Sequence, residues 1–274
     1  MRNLGNVRRI VVKVGTSVLT TQYGTLNEAA IEQIAEVLSQ VQRSGINVAL
    51  VTCGAIPAGV AKLRLSEYPS DMRVKQAAAA VGQVSLMNTY DKFFTCYSVP
   101  VAQVLIEKHT FGRDDTLANL TNTMNALFGL GVIPIINEND TTITDEINRG
   151  DNDMLAANIA GTIGADLAFF LTKVDGLYGR NSVFGPRIIS EVSAITDEIK
   201  ESARDPNATT HPAGGLTTKL SAAVVAATKS NTKTIILNGY KPQLLIDALR
   251  GANVGTFFDL CSSPVNAQTP PVFA

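Results

Sequence analysis

The chain alternates short β-branched segments with longer segments of helical periodicity along most of its length. Residues 9–14 read RIVVKV, and in residues 27–44 the apolar side chains recur at the three- and four-residue spacing of a helix. Further strands are predicted at 48–52, 101–106, 132–136, 166–171, 234–237 and 256–258, and further helices at 72–97, 114–130, 153–163, 217–229 and 242–249. Because parallel neighbouring strands need crossover helices, this order predicts an α/β fold, a three-layer αβα sandwich with a mostly parallel central sheet.

Three segments between these elements have their own composition. Residues 141–149 alternate weakly and are compatible with a hairpin, whereas residues 204–215 are rich in Pro, Asn, Thr and Gly and are expected to be mobile. The four alanines at 77–80 predict close helix packing, either within the fold or at a subunit contact.

The composition favours one globular domain that handles small molecules. The chain has 274 residues, of which 45% are hydrophobic and 17% charged, so there is enough apolar material for a sizeable core. The formal net charge is -1 and the basic residues are scattered, so the basic surface of a nucleic-acid binder is missing. Neither a membrane-spanning stretch nor a signal peptide is recognisable, so we expect no membrane partner.

The cysteines and histidines argue against several kinds of site. Cys53, Cys96 and Cys261 are odd in number and far apart, which favours neither a disulfide framework nor a structural zinc site and fits a reducing, cytoplasmic location. His109 and His211, the two histidines, are distant in sequence, which gives little support to a histidine base or metal pair. Glu107 is interpreted as a solvated charge.

Two polar clusters follow predicted apolar segments. Ile-Ile-Asn-Glu-Asn-Asp at 135–140 ends a strand, and Gly-Asp-Asn-Asp at 150–153 lies at the start of a helix. In an open α/β sheet such positions lie at the ligand-binding edge. Asn, Asp and Gly are also the ordinary residues of turns, so either cluster alone has this second explanation.

Lysines inside apolar or glycine-rich segments favour a site for anions. Lys13 lies within the first predicted strand, and Lys219 ends the segment Gly-Gly-Leu-Thr-Thr-Lys. Burying a charged lysine without an anion would cost free energy. The alternative for Lys13 is that its long side chain extends until the ammonium group reaches solvent. With the turns at 15–17 and 53–55, these cations could neutralise and hold a phosphoryl group. The Walker A, GxGxxG and protein-kinase signatures are absent, so phosphate binding must be built differently.

Eight collinear segments resemble the amino acid kinase family. They are VVKVGTSVL at 11–19, VTCGAIPAG at 51–59, KQAAAAVGQ at 75–83, VIPIINEND at 132–140, GDNDMLAA at 150–157, LTKVDGLYGR at 171–180, GGLTTKLSAA at 214–223 and VGTFF at 254–258. The resemblance is greatest to members that phosphorylate the γ-carboxylate of L-glutamate. It implies an ATP- and Mg²⁺-dependent kinase that forms L-glutamyl 5-phosphate for proline synthesis. It also implies proline as a feedback inhibitor and a homo-oligomer, either dimer or tetramer.

The same resemblance assigns roles to individual residues. Lys13 and Lys219 would stabilise the transferring phosphoryl group, and Asp153 would orient both lysines. Glutamate would lie against Cys53, Gly54 and Ala55, with Asn137, Asp140 and Asn152 near its amino and α-carboxylate groups. The nucleotide side would comprise Lys13, Gly15, Thr172, Lys173, Gly176, Tyr178, Gly214, Gly215, Leu216, Thr217 and Lys219, with no residue assigned to the metal. For Asp151 an N-cap role is an equal alternative.

Two features depart from the family pattern. The family usually has serine at the position of Cys53, and a thiol is a weaker hydrogen-bond donor, so glutamate binding should be weakened unless the backbone N–H groups of the loop do the binding. Many members carry a PUA domain or are fused to a reductase. Here we expect one amino acid kinase domain at 4–260 and a C-terminal tail at 261–274, with room for neither addition.

Two other functions remain open from the sequence. The chain could be a family member that phosphorylates a different acceptor, namely acetylglutamate, aspartate or UMP. The loops around the site determine which acceptor binds, and an assay with each acceptor is needed to distinguish them. It could also be a catalytically weak sensor of glutamate or proline. Cys53 keeps that interpretation open, whereas Lys13, Asp153 and Lys219 argue against it.

Overall fold

A computed structural model describes residues 1–142, 151–179, 187–204 and 215–260. The strands are β1 Arg9–Val14, β2 Asn47–Val51, β3 Val101–Ile106, β4 Ile133–Glu138, β5 Leu167–Thr172, β6 Tyr178–Gly179, β7 Arg187–Ile188, β8 Glu191–Val192, β9 Lys233–Asn238 and β10 Thr256–Phe258. The α-helices are α1 Thr16–Leu19, α2 Glu28–Arg43, α3 Ala55–Lys62, α4 Met72–Cys96, α5 Asp114–Gly129, α6 Asp151–Ile163, α7 Asp197–Ala203, α8 Leu216–Ser230 and α9 Leu244–Leu249, and a 3-10 helix spans Lys108–Gly112.

Eight of these strands form one sheet in the order β3-β4-β2-β1-β5-β9-β10-β8, while β6 and β7 form a separate antiparallel pair. From β3 to β9 all neighbours pair in parallel, and β10 is antiparallel to β9. The mostly parallel sheet predicted from the alternation is thus confirmed. Since β1 lies between β2 and β5, the carboxyl ends of these strands meet at one edge, where ligands bind in open α/β sheets.

The alternation of side chains along β1 separates the two faces of the sheet. Ile10 and Val12 belong to the core that includes α2, α4 and α9, whereas Val11 belongs to the core that includes α5, α6 and α8. Successive residues of a strand point to opposite faces, so Lys13 is directed to the same face as Val11. Helices therefore cover both faces of the sheet, and Lys13 faces the layer that contains α6 and α8.

Two glycines allow α3 and α4 to pack with their backbones in contact. A Cβ at Gly59 would lie 1.8 Å from the carbonyl oxygen of Ala78, and a Cβ at Gly82 would lie 1.8 Å from that of Ala55. No side chain fits at either position. The close packing predicted from the alanine run is confirmed within the chain, and it fixes the start of α3 against α4.

Several element bounds differ from the sequence prediction. Helix α6 is described from Asp151, two residues before the predicted start, so Asp151 lies within the helix and is not its N-cap. Strand β4 extends two residues further, to Glu138, and α9 begins at Leu244 rather than at 242. The elements α1, α7, β6, β7 and β8 were not predicted, because two to seven residues are too few to show a period.

Some predictions concern parts of the chain outside the described residues. Most of the predicted hairpin at 141–149, nearly all of the 204–215 segment and the tail at 261–274 fall there. Across the described ranges, no helix combines the length and the apolar character needed to cross a membrane.

Candidate active site

Polar residues lie at the carboxyl ends of five parallel strands. Lys13 is the fifth residue of β1, and Thr52 directly follows β2. Asn137 is the fifth residue of β4, Thr172 ends β5 and Asn238 ends β9. All except Thr172 are buried. Because buried polar groups need partners, this edge of the sheet is where contacts to other elements or to ligands are expected.

Asp153 is enclosed between two lysines. Its Oδ1 lies 2.7 Å from Lys13 Nζ, and its Oδ2 lies 3.1 Å from Lys219 Nζ. Thr218 Oγ1 donates to the same Oδ2 over 2.7 Å. The exposed fractions are 5% for Lys13, 3% for Lys219 and 0% for Asp153. One carboxylate therefore faces two ammonium groups, and the buried cluster carries a net positive charge.

The starts of two helices bring these groups to the end of β1. Asp153 is the third residue of α6, and Lys219 is the fourth residue of α8. Both helices pack on the face of the sheet to which Lys13 is directed. Free N–H groups give a helix N-terminus a partial positive charge, so the two helix starts add to the positive potential of the cluster.

Burial and charge act in opposite directions on the pKa values of this cluster. Burial by itself would raise the pKa of Asp153, but the two lysines lower it below its ordinary value. Burial would lower the pKa of Lys13, but Cys53 and Asp153 together raise it. For Lys219, burial outweighs the attraction of Asp153, and the charge of Lys13 acts in the same direction as burial, so the pKa is lowered. The pKa of Lys219 is thus shifted in the opposite direction to that of Lys13.

A chain of amide hydrogen bonds crosses the ends of β2 and β4. Asn152 Nδ2 donates to the carbonyl oxygen of Thr52 and, over 2.9 Å, to Asn137 Oδ1. The backbone N–H of Glu138 donates to the same Asn137 Oδ1 over 3.0 Å. Asn137 Nδ2 in turn donates to Gln83 Oε1 over 2.9 Å. These bonds join β2, β4, α4 and α6 into one polar network.

The loop between β2 and α3 contains a left-handed glycine. Gly54 has φ 98° and is the N-cap of α3, a conformation that strains any residue with a Cβ. Cys53 is half-buried and lies close enough to Lys13 to influence its pKa. Ala55 is buried as the first residue of α3. Cys53 thus lies next to the charged cluster, and the backbone around it is fixed by Gly54.

Glu107 holds the turn that follows β4. Asn139 Nδ2 donates to Glu107 Oε1 over 3.1 Å, and Thr142 Oγ1 donates to it over 2.7 Å. The bond from Thr142, together with that from Asn139, lowers the pKa of Glu107. The side chain of Glu107 is 34% exposed at the start of the 3-10 helix, as predicted for a solvated charge, but it also binds a loop more than thirty positions away. Asp140 lies in this turn and is half-buried.

Asp175 joins the turn after β5 to the turn after β9. Its Oδ1 accepts hydrogen bonds from Asn238 Nδ2 over 3.0 Å and from Lys241 Nζ over 2.9 Å. Tyr178 OH donates to its Oδ2 over 3.4 Å. The bonds from Lys241 and Asn238 lower the pKa of Asp175. The two turns therefore form one surface at the carboxyl edge of the sheet.

Three of the residues expected to bind the nucleotide lie at or after the end of β5 and differ in burial and packing. Thr172 is half-buried and Lys173 is exposed. A Cβ at Gly176 would lie 2.7 Å from Thr256 Oγ1 and 2.9 Å from Ile188 Cγ2, so packing within the protein accounts for this glycine. Its role towards a nucleotide stays a prediction.

Two further segments of the expected nucleotide side start helices. The N–H of Gly15, which precedes α1, donates to the carbonyl oxygen of Leu171 over 3.0 Å. Gly215 is the N-cap of α8, and among the described residues no contacting atom lies within 4 Å of the position that a Cβ would take there. Leu216 and Thr217 are half-buried in the first turn of α8. Gly214 lies outside the described residues.

Three residues in contact with the predicted site were not singled out from the sequence. Gln83 bonds to Asn137, Thr218 bonds to Asp153, and Asp175 joins two turns of the same sheet edge. Each lies inside one of the segments that resemble the family. Nothing in the local sequence shows which side chain of such a segment turns inward.

The described residues do not form a metal site of their own. Nowhere in the described ranges do three or more His, Cys, Asp or Glu side chains lie close enough to hold a metal ion. Asp153, the buried carboxylate of the cluster, faces a lysine with each of its oxygens. A magnesium ion here would need most of its ligands from a substrate or from water, as is usual for Mg²⁺ bound with nucleotides.

Several known proteins are similar to this chain. The family model described as "Amino acid kinase family" matches residues 8–238. A glutamate 5-kinase from Clostridium acetobutylicum is 42% identical over 257 residues, covering 93% of this chain and 96% of the relative. A glutamate 5-kinase from Listeria welshimeri is 41% identical over 262 residues, covering 93% and 94%.

Solved structures with low sequence identity share the fold. Carbamate kinase from Giardia superposes with a TM-score of 0.62 at 16% identity, covering 93% of this chain and 99% of that one. Isopentenyl phosphate kinase from T. acidophilum superposes with a TM-score of 0.60 at 20% identity, covering 91% and 99%. The family model covers most of the chain, and the relatives with the higher identities match nearly all of it. The chain therefore belongs to the amino acid kinase family, and within that family to the glutamate 5-kinases.

Proposed function

We propose that the protein transfers the γ-phosphoryl group of ATP to the γ-carboxylate of L-glutamate, forming L-glutamyl 5-phosphate as the first step of proline biosynthesis. The observation that carries this proposal is the buried cluster in which Asp153 lies between Lys13 and Lys219 at the carboxyl edge of the sheet. The similarity to glutamate 5-kinases over most of the chain supports glutamate as the acceptor.

The net positive charge of the cluster suits phosphoryl transfer. A γ-carboxylate oxygen forms a bond to the γ-phosphorus, and the bond from that phosphorus to the leaving oxygen of ADP breaks. Negative charge then lies on the equatorial oxygens of the phosphoryl group, which the ammonium groups of Lys13 and Lys219 neutralise. Asp153 holds both nitrogens in position, so little reorganisation is needed when the charge moves. Such a reaction requires no covalent intermediate on the protein.

The glutamate side is proposed to lie between the loop after β2 and the turn after β4. The half-buried carboxylate of Asp140 is a suitable partner for the α-ammonium group. The backbone N–H groups at Gly54 and Ala55 are suitable for a carboxylate. Asn137 and Asn152 are already linked to each other, which fixes their amides at the floor of this region.

The nucleotide is proposed to bind over the turns after β5 and β9 and over the start of α8. Lys173 and Gly176 lie in the first of these turns, and Thr172 and Tyr178 lie at its two ends. Gly15, Gly214, Gly215, Leu216 and Thr217 complete the assignment, together with the two lysines of the cluster. Mg²⁺ is proposed to enter with the phosphates of ATP and to neutralise part of their charge, since the described residues offer it no separate site.

Four further properties belong to the same proposal. We expect one amino acid kinase domain at residues 4–260 and a tail at 261–274. We also expect proline to inhibit by competing for the glutamate site, and the chain to form a dimer or tetramer in the cytoplasm. Glutamate kinetics at several proline concentrations test the inhibition, and light scattering on the purified protein tests the assembly.

The test of the activity is ADP release with each candidate acceptor in parallel. The purified protein is incubated with ATP and Mg²⁺ and with L-glutamate, L-aspartate, N-acetylglutamate or UMP, and hydroxylamine traps any acyl phosphate as a hydroxamate. ADP and hydroxamate with glutamate alone are the expected result. Turnover of another acceptor would place the protein elsewhere in its family. ATP binding without any turnover would instead support a sensor of glutamate or proline.

A further inference from the structure

The side-chain amide nitrogen of Gln83 takes part in none of the contacts described above. Its side chain belongs to α4 and is 9% exposed. The Oε1 atom accepts a hydrogen bond from Asn137, but Nε2 has no partner among the described residues. Buried donors are nearly always hydrogen-bonded, so an amide nitrogen left without a partner beside a site indicates a group that binds there.

The hydrogen bonds around Asn137 fix which end of the Gln83 amide faces it. The backbone N–H of Glu138 is a donor only, so the atom of Asn137 that it contacts must be Oδ1. The other end of that amide, Nδ2, therefore faces Gln83 and requires an acceptor. Gln83 consequently presents Oε1 to Asn137, and its Nε2 is the end that remains free to donate. This orientation follows from the network and does not depend on telling nitrogen from oxygen.

Gln83 and a candidate glutamate ligand line the same small cavity. Gln83 lines this cavity together with Ala55 and Asp140. Asp140 is an acceptor suited to an ammonium group, whereas an amide N–H₂ is suited to a carboxylate. The α-carbon of an amino acid carries these two groups side by side. The pair formed by Asp140 and Gln83 therefore matches the α-amino acid end of a substrate.

We propose that Gln83 Nε2 donates a hydrogen bond to the α-carboxylate of the substrate, so that Gln83 is a substrate-binding residue. The proposal rests on glutamate being the acceptor. The γ-carboxylate must reach the phosphoryl group at the lysines. Asn152 is adjacent to Asp153, and hydrogen bonds link it to Gln83 through Asn137. Gln83 thus lies at the end of the amide chain remote from the charged cluster, where the α-carboxylate is expected.

Two substitutions of Gln83 separate direct binding from an indirect effect through Asn137. Gln83→Glu keeps an acceptor towards Asn137 and replaces the donor by a second carboxylate oxygen, whereas Gln83→Leu removes both groups. Direct binding predicts that the KM for glutamate rises about tenfold in Gln83→Leu and further in Gln83→Glu, with the KM for ATP within about twofold. If Gln83 only orients Asn137, the order reverses, and Gln83→Glu resembles the wild type. That reversed order would overturn the proposal.

Controls distinguish folding and activity from the proposed contact. Gln33→Glu makes the same chemical change on the exposed face of α2 and should leave both KM values unchanged. If Gln83→Glu does not fold, the test uses Gln83→Leu and the inhibitor 4-aminobutyrate, which is glutamate without its α-carboxylate. If Gln83 binds the α-carboxylate directly, Gln83→Leu raises the KM for glutamate but leaves inhibition by 4-aminobutyrate unchanged. If Gln83→Leu weakens glutamate binding and 4-aminobutyrate binding equally, the proposal is contradicted. Wild-type protein that forms no hydroxamate with glutamate refutes the proposed function, whereas active wild type with a normal KM in Gln83→Glu refutes this inference alone.

Discussion

Lys13 and Lys219 share the single carboxylate of Asp153, which lies 2.7 Å from one ammonium nitrogen and 3.1 Å from the other. The three groups are buried, so their interactions are screened by solvent far less than those of surface ion pairs. The two ammonium groups and the one carboxylate leave the cluster with one positive charge that is not neutralised. An anion such as a phosphoryl group can balance this charge, whereas loss of Asp153 would leave two buried cations facing each other.

Asp153→Asn should lower both activity and stability. The amide keeps the size of the side chain but no longer neutralises the buried lysines. Breaking a buried ion pair in this way costs about 3–5 kcal/mol of the free energy of unfolding. Loss of charge stabilisation should lower kcat/KM by about 100-fold or more. Urea unfolding and ADP release measure the two effects.

Asp197→Asn is the matched control for that substitution. Asp197 also pairs with a lysine, Lys200, over 3.0 Å, but its side chain is 98% exposed. Exposed ion pairs contribute little, so both stability and turnover should stay close to those of the wild type. Equal effects of Asp153→Asn and Asp197→Asn would contradict a special role for the buried cluster.

The alkaline side of the pH–activity profile should be set by Lys219. Burial, against the attraction of Asp153, leaves its pKa below the ordinary value of 10.5, whereas the pKa of Lys13 is raised. As the pH rises, Lys219 therefore loses its proton first, and the positive charge that stabilises the phosphoryl group is lost. We expect kcat/KM, which reports on the free enzyme, to fall at a pH below 10.5.

Lys219→Arg tests this assignment, since a guanidinium stays protonated throughout the accessible range. The substitution should lower activity because the geometry changes, but it should also shift the alkaline limb to higher pH. The comparison is made in a Cys53→Ser background, so that a thiol beside Lys13 does not contribute. An alkaline limb that stays in place would assign the titration to another group.

Cys53→Ser should strengthen glutamate binding. A hydroxyl donates a better hydrogen bond than a thiol, and the loop that carries Cys53 is fixed by Gly54. The KM for glutamate should fall about two- to tenfold, which corresponds to roughly 0.5–1.5 kcal/mol. The exposed Cys96, converted to serine in the same way, should have no effect. An unchanged or raised KM in Cys53→Ser would contradict the hypothesis that the thiol weakens glutamate binding.

Gly59→Ala should destabilise the protein through the contact between α3 and α4. The added Cβ would meet the carbonyl oxygen of Ala78 at 1.8 Å, so the helices must separate. Forcing atoms into packed contacts costs about 1–3 kcal/mol, and separation would also move the loop at Cys53. The expected result is a lower Tm and a higher KM for glutamate.

A glycine in open space supplies the control for Gly59→Ala. Gly129 ends α5, and in the part of the chain that the structure describes no contacting atom lies within 4 Å of the position that a Cβ would take there. Since alanine in a helix is favoured over glycine, Gly129→Ala should be neutral or stabilising by up to about 1 kcal/mol. A similar loss of Tm in both variants would mean that the contact with Ala78 is not responsible.

The sequence by itself determined the layers of this protein and, to within about two residues, the bounds of the elements that it predicted. Strands β3 and β10 were predicted at Val101–Ile106 and Thr256–Phe258, where the structure has them, because β-branched and apolar runs between helices leave few alternatives. The alternation of strands and helices then implied a parallel sheet with one ligand-binding edge. Lys13 was identified in the same way, since a charged residue in a buried run is an exception to the local pattern.

The tertiary structure alone decided which side chains meet. Asn152 bonds to Thr52 across 100 positions, and Gln83 bonds to Asn137 across 54. A local pattern reports on burial and periodicity within one element, so it could not show that Gln83 turns towards β4 rather than to solvent. The hydrogen bonds of Glu107 to Asn139 and Thr142 were not foreseen for the same reason. Partners supplied by distant elements become visible only when the crossover connections have placed those elements side by side, because the energy of a buried polar group depends on neighbours that the local sequence does not contain.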